Sequence, residues 1–162
     1  MIFVALGTQK FQMNRLIKAL DVQKGKGLIK EEIFAQIGNS DYIPKNFESK
    51  SFLNNDEFNN QLQKSDIVIT HSGVSTIIKA LMLKKKVIVV PRLAKFGEHV
   101  DNHQTQIAET FSELNYVFMV LRVEELYKVI EKVKTHNFSS YVSGNDVMID
   151  TIERFLANGS KI

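Results

Sequence analysis

The sequence has no cysteine, which removes disulfides and thiolate metal sites as structural devices and fits a reducing compartment, so cytoplasm is the expected location. It has no apolar run near the roughly 18–20 residues needed to cross a bilayer, and the opening Ile2 to Leu6 lacks the basic flank of a signal peptide. The chain is therefore expected to be neither secreted nor membrane-spanning. Also missing are Gly-x-x-x-x-Gly-Lys-Ser/Thr and Gly-x-Gly-x-x-Gly, the loops that cradle phosphate in P-loop ATPases and dinucleotide enzymes. There is no Asp-x-Asp, so a divalent cation clamping a nucleotide diphosphate has no obvious ligand pair. The formal net charge is only +3, and the one basic cluster, Lys84-Lys85-Lys86, has no interleaved aromatics, which argues against a nucleic-acid binder.

What is present is a repeating strand–helix pattern. With 162 residues, 44% of them hydrophobic, the chain is long enough for one domain with a substantial core, and residues 1–162 are read as that single domain. Ile2 to Leu6, Ile33 to Ile37, Asp66 to Thr70, Val87 to Pro91 and Tyr116 to Val120 are apolar runs of strand length. Between them lie helical spacings: Met13, Leu16, Ile17 and Leu20; Phe58 and Leu62; Ile77, Ala80, Leu81 and Leu83; Gln104, Ile107, Ala108 and Phe111; then Leu126, Val129, Ile130 and Val133. Asp41 to Lys50 reads as a loop, with at most a short strand near Ser51-Phe52-Leu53. Asp146 to Ala157 carries a last apolar stripe, free to pack on this domain or on a partner. Such alternation predicts an α/β fold, a mostly parallel sheet with helices on both faces.

In an open parallel sheet the ligand lies beyond the carboxyl ends of the strands. Gly7-Thr8-Gln9, His71-Ser72-Gly73-Val74-Ser75-Thr76 and the loop Arg92 to Gln104 fall at such ends and should converge. Glycine allows close approach, and Ser75 and Thr76 fall in a first helical turn whose unpaired N–H groups suit a diphosphate. The same residues also serve as ordinary helix caps. With no metal motif, backbone dipoles and Arg92 would have to stabilise a leaving group. His99 and His103 are four apart with Glu98 nearby, but a third ligand is lacking, so no metal or cofactor is expected.

Taken in order, these segments resemble the UDP-sugar-binding C-terminal domain of the inverting glycosyltransferases that include the lipid II N-acetylglucosaminyltransferase. They are still more similar to its split, single-domain relatives: the eukaryotic Alg13 subunit and bacterial capsule or exopolysaccharide subunits that work with an Alg14-like partner. The likeness runs from Phe3 to Gln9, through Phe52-Leu53 and Ser65 to Ile77, to Val87–Arg92 and Gly97 to Gln104. It implies a Rossmann-like fold, the C-terminal half of a GT-B glycosyltransferase. It implies that Phe52 and Leu53 meet the uracil edge, that Gly7 to Gln9 and Gly73 to Thr76 line the diphosphate and sugar, and that His103 and Gln104 bond sugar hydroxyls. Lys79 stands where many relatives carry a ribose-binding glutamate, and a lysine cannot accept a bond from a ribose hydroxyl.

The activity implied is metal-independent, inverting transfer from a UDP-sugar to a polyprenyl-diphosphate-linked saccharide in surface polysaccharide synthesis. The catalytic base would come from a membrane-associated Alg14-like subunit, or from Glu98 or His99, and the chain would sit peripherally at the inner face of the plasma membrane through that partner. An apolar interface left uncovered would also permit a homodimer. Two other classes stay open at this point: a non-catalytic nucleotide-sugar-binding regulatory subunit, and a self-sufficient nucleotide-sugar epimerase or hydrolase.

Overall fold

The structure, a computed structural model, describes residues 1–142; the apolar stripe from Asp146 to Ala157 lies outside them. Six strands form one sheet: β1 (Ile2–Ala5), β2 (Ile33–Gln36), β3 (Glu48–Lys50), β4 (Ile67–Thr70), β5 (Lys86–Val89) and β6 (Phe118–Met119). Their order is β3-β2-β1-β4-β5-β6 and every pairing is parallel. Between them run α1 (Asn14–Gly25), α2 (Asn55–Lys64), α3 (Val74–Met82) and α4 (His103–Glu113), and α5 (Leu126–Thr135) follows β6.

Alternation along the strands sorts the core into two layers. Ile2, Val4 and Leu6 join Ile67, Ile69, Ile88 and Val90 on the face covered by α1 and α5. Phe3 and Ala5 join Val68, Val87 and Val89 on the face covered by α2, α3 and α4. The central strands are apolar on both sides because each side meets a helix, and each buried Ile, Leu or Val contributes about 1.5–3 kcal/mol relative to exposure. The expected mostly parallel sheet is thus wholly parallel among the described residues.

One element differs from expectation. The short strand beside β2 is Glu48–Lys50, not Ser51-Phe52-Leu53. Its residues are largely exposed, because it is an edge strand recruited by backbone pairing with Phe34 to Gln36 rather than by an apolar face. The polar loop before it is organised by Asp21. Burial raises the Asp21 pKa, but hydrogen bonds from Tyr42 Oη, the Asn46 backbone and side chain and the Lys45 N–H outweigh it and hold the carboxyl below its ordinary value. By contrast α2 begins on a local signal, Asn54 and Glu57 forming a reciprocal capping box.

Candidate functional site

The strand order reverses direction between β1 and β4, and a crevice opens there beyond their carboxyl ends. Gly7 and His71 flank it. A Cβ on Gly7 would lie 2.5 Å from His71 Nε2, and one on Gly73 would lie 2.7 Å from His71 Cε1. The imidazole is therefore sandwiched between two glycine backbones, a fit that any side chain at either position would prevent. Gly38, after β2, completes the floor: its φ is +59° and a Cβ there would lie 2.8 Å from the Gly7 carbonyl oxygen.

Behind this floor two glutamines tie the loops together. Gln104 accepts from the Ser72 N–H at 3.3 Å and the Arg92 N–H at 3.1 Å, so one side chain joins the loops after β4 and β5. Gln36 donates to the Gly7 carbonyl at 3.4 Å and accepts from the Leu53 N–H at 3.1 Å, which brings Phe52 and Leu53 to the same region. Phe52 is half-exposed there. Sequence reasoning misses Gln36, although an amide ending an otherwise apolar strand is the signal that marks it. The side-chain oxygen of Gln104, a residue expected to bond a sugar, is committed to the two backbone donors of Ser72 and Arg92.

α3 starts at this crevice. Gly73 is its N-cap and supplies no side-chain bond, while Ser75 is exposed and Thr76 half-buried on the first turn. Val74 completes that turn. Two buried polar atoms beside it, His71 Nδ1 and Ser72 Oγ, have no hydrogen-bond partner. Burial pushes the His71 pKa from 6.5 down to about 4, with the positive charge of Arg92 acting the same way, so the ring is neutral at pH 7. The stability tied to that neutrality is fully present above pH 6.5 and is lost as pH falls toward 4. Denaturant unfolding of the native chain and of His71→Gln should therefore give a difference that changes through this window, the native protein losing stability faster on acidification; parallel curves would refute the assignment.

Arg92 and Glu98 do not occupy the positions expected of a leaving-group cation and a base. Arg92 is 1% exposed, and its guanidinium donates to the carbonyls of Leu6, Phe11, Gln12 and Glu98. It pins the loop after β1 to the loop after β5, while its Nε, also buried, has no hydrogen-bond partner. Glu98 is 0% exposed; it takes a paired contact from Arg15 at 2.9 and 3.0 Å and a bond from the Leu93 N–H. A carboxylate so enclosed has no open oxygen for an acceptor hydroxyl. His99 is better placed: its Nδ1 lies 3.1 Å from Asp101 Oδ1, and its ring centroid lies 5.4 Å from that of Phe11. His103 opens α4 with its N–H on Asp101 Oδ1 and its side chain half-exposed. Among the described residues no group of three or more His, Asp or Glu is arranged to hold a metal ion. Thr8 and Gln9 are exposed on the Gly7 loop, and Lys79 points its ammonium over the Phe58 ring at 5.9 Å.

The family model of the glycosyltransferase family 28 C-terminal domain matches residues 1–146. The chain belongs to this family. Among relatives of this family 28 domain, the UDP-N-acetylglucosamine transferase subunit ALG13 of Saccharomyces cerevisiae is 34% identical over 94 residues, 54% of this chain and 45% of that protein. The human subunit of the same name is 27% identical over 124 residues, covering 72% of this chain and 11% of that protein. The chain thus spans less than half the length of either relative. Among solved structures, the glycotransferase of kitacinnamycin superposes with a TM-score of 0.62 at 16% identity, covering 97% of this chain and 39% of that one. Spinosyn forosaminyltransferase SpnP gives 0.54 at 13% identity over 82% of this chain and 34% of that one. These likenesses bear on fold, and with the sheet order they establish the Rossmann-like C-terminal half of the GT-B architecture.

Proposed function

We propose that this family 28 domain is the donor-binding half of a UDP-sugar-dependent inverting glycosyltransferase, completed by a second polypeptide. The observation that carries the reading is the uncapped α3 N-terminus with the unpartnered His71 Nδ1 and Ser72 Oγ beside it. The helix end offers free N–H donors and partial positive charge to a diphosphate, and a neutral imidazole adds a hydrogen bond without a charge to desolvate. The names of the relatives make UDP-N-acetylglucosamine the first donor to test.

In the reaction an acceptor hydroxyl attacks the anomeric carbon, the bond from that carbon to the diphosphate oxygen breaks, and UDP leaves against the helix end while a base takes the hydroxyl proton. On this chain His99, partly buried beside Asp101, is the candidate for that base; otherwise it comes from the partner. The partner would be a membrane-associated Alg14-like subunit, and the acceptor a polyprenyl-diphosphate-linked saccharide of surface polysaccharide synthesis, met at the cytoplasmic face of the membrane. No helix among the described residues is long and apolar enough to cross a membrane, which is compatible with peripheral attachment.

Calorimetric titration with UDP in the presence of EDTA tests the reading. Binding should persist without divalent ions, and Ser75→Ala combined with Thr76→Ala should weaken it about tenfold or more, each hydroxyl bond to phosphate being worth about 1 kcal/mol. An unchanged affinity in the double variant, or binding that appears only with a divalent ion, would sink it.

A further inference from the structure

The helix that opens on the crevice carries a single cation. Ser75 and Lys79 are four residues apart on α3, so they share one exposed face of the helix, with Lys79 one turn beyond Ser75. Helical side chains lean toward the N-terminus, and a lysine is long enough to reach back over that turn. Lys79 Nζ lies 5.9 Å from the Phe58 ring centroid, and Phe58 is itself packed edge-on against Phe3, their centroids 5.2 Å apart. The ammonium is therefore held on the side of α3 that faces α2. Among the described residues it forms no ion pair.

That side leads from the α3 N-terminus toward Phe52. Leu53, Phe58 and Val74 pack against the same apolar layer, which sets the start of α2 beside the start of α3. Phe52 is 48% exposed there, a flat ring against which a planar base can lie. The acceptors on this flank are spent inward. Glu57 takes the Lys50 ammonium on Oε1 at 2.8 Å and the Asn54 N–H on Oε2 at 3.0 Å, and Asn54 Oδ1 takes the Glu57 N–H at 2.9 Å. Gln36 Oε1 takes the Leu53 N–H. Asp56 stands two positions from Phe58, about 200° around α2, and so lies on the far face. Asn55 shares the Phe58 face, but it is an uncharged, exposed amide that water satisfies equally well. Among the described residues the flank thus presents a free cation and no free carboxylate.

We propose that Lys79 sets the specificity of the donor site: its ammonium pairs with the phosphate next to the nucleoside and leaves the pentose 2′-hydroxyl unread, so that ribonucleoside and 2′-deoxyribonucleoside diphosphates are taken alike. An ammonium donates and cannot accept. A sugar hydroxyl therefore offers it no more than water does, whereas a phosphate oxygen gives a charge-assisted bond. Strong discrimination between a hydroxyl and a hydrogen needs a buried polar group that is left unpaired when the hydroxyl is missing. The flank between Phe52 and Lys79 supplies none, since its buried acceptor, Gln36, is already bonded. The inference rests on the donor-site reading and deepens it, defining the donor by the charge of its phosphates and not by its pentose.

Titration of the full chain with UDP and with 2′-deoxy-UDP, at low and at high salt with EDTA present, tests the proposal. The native protein should bind the two nucleotides within about threefold of each other. Lys79→Met keeps the length of the side chain and its packing over Phe58; it should weaken both nucleotides about fivefold at low salt and flatten the salt dependence. Lys79→Arg should restore the native affinity and its salt dependence. Thermal melts check that each variant is folded. A preference of about tenfold or more for UDP over 2′-deoxy-UDP, or an unchanged UDP affinity in Lys79→Met, would overturn the proposal while leaving the donor site in place. No UDP binding by the native chain would overturn both readings. Ser75→Ala with Thr76→Ala should weaken UDP whether Lys79 or Met stands at position 79, so the helix end and the lysine can fail separately.

Discussion

Glu98→Ala is expected to lower the unfolding free energy by about 3–5 kcal/mol, the loss seen when one partner of a buried ion pair is removed. Glu98 has no exposed surface and stands between Arg15, whose side chain is 14% exposed, and the fully buried Arg92. Deleting the carboxylate would strand the Arg15 guanidinium and leave the Leu93 N–H without its acceptor. Chemical denaturation at pH 7 measures the effect. Glu98→Gln separates structure from chemistry, since it keeps an acceptor for the Leu93 N–H while removing the charge. If Glu98 is a tie between loops, Glu98→Gln loses stability but retains turnover per folded molecule in the complete enzyme. A loss of a hundredfold or more in turnover with little change in stability would restore Glu98 as the base.

Gly38→Ala should cost about 2–4 kcal/mol and lower the melting temperature by roughly 5–15 °C. Two effects add at this position. A φ of +59° burdens any residue with a Cβ, and that Cβ would press to 2.8 Å from the carbonyl oxygen of Gly7, a backbone atom that cannot swing aside. The Gly38 N–H is bonded to the Ser51 carbonyl at 2.9 Å, so the strand cannot shift to relieve the clash. Gly27→Ala isolates the conformational part. Gly27 has a φ of +72°, but an added methyl there would meet nothing within 4 Å, so its loss should be only about 1 kcal/mol. Equal losses at the two glycines would show that the contact with Gly7 is slack and that the floor of the crevice yields to a methyl group.

Much of the site was legible because its residue types are constrained locally. Gly7, His71 to Thr76 and the segment ending at Gln104 follow strands or open helices, and those places can be recognised from periodicity alone. The burial of Arg92 and Glu98 was not legible for a physical reason: a charged residue in a loop is ordinarily solvated, and nothing in a linear sequence announces that Arg92 lies under four carbonyls or that Arg15, 83 residues from Glu98, supplies its counter-charge. The two backbone partners of Gln104 were not legible either, since they come from different loops.

The sequence by itself determined the order of strands and helices, because hydrophobic period and helix caps act over a few residues. It also placed the glycine-bearing loops at the carboxyl ends of strands, and so located the crevice. Only the tertiary structure decided which polar groups face that crevice and which are consumed in holding it. The partners of a buried charge or amide are chosen by packing across distant segments, which no local pattern in the sequence records.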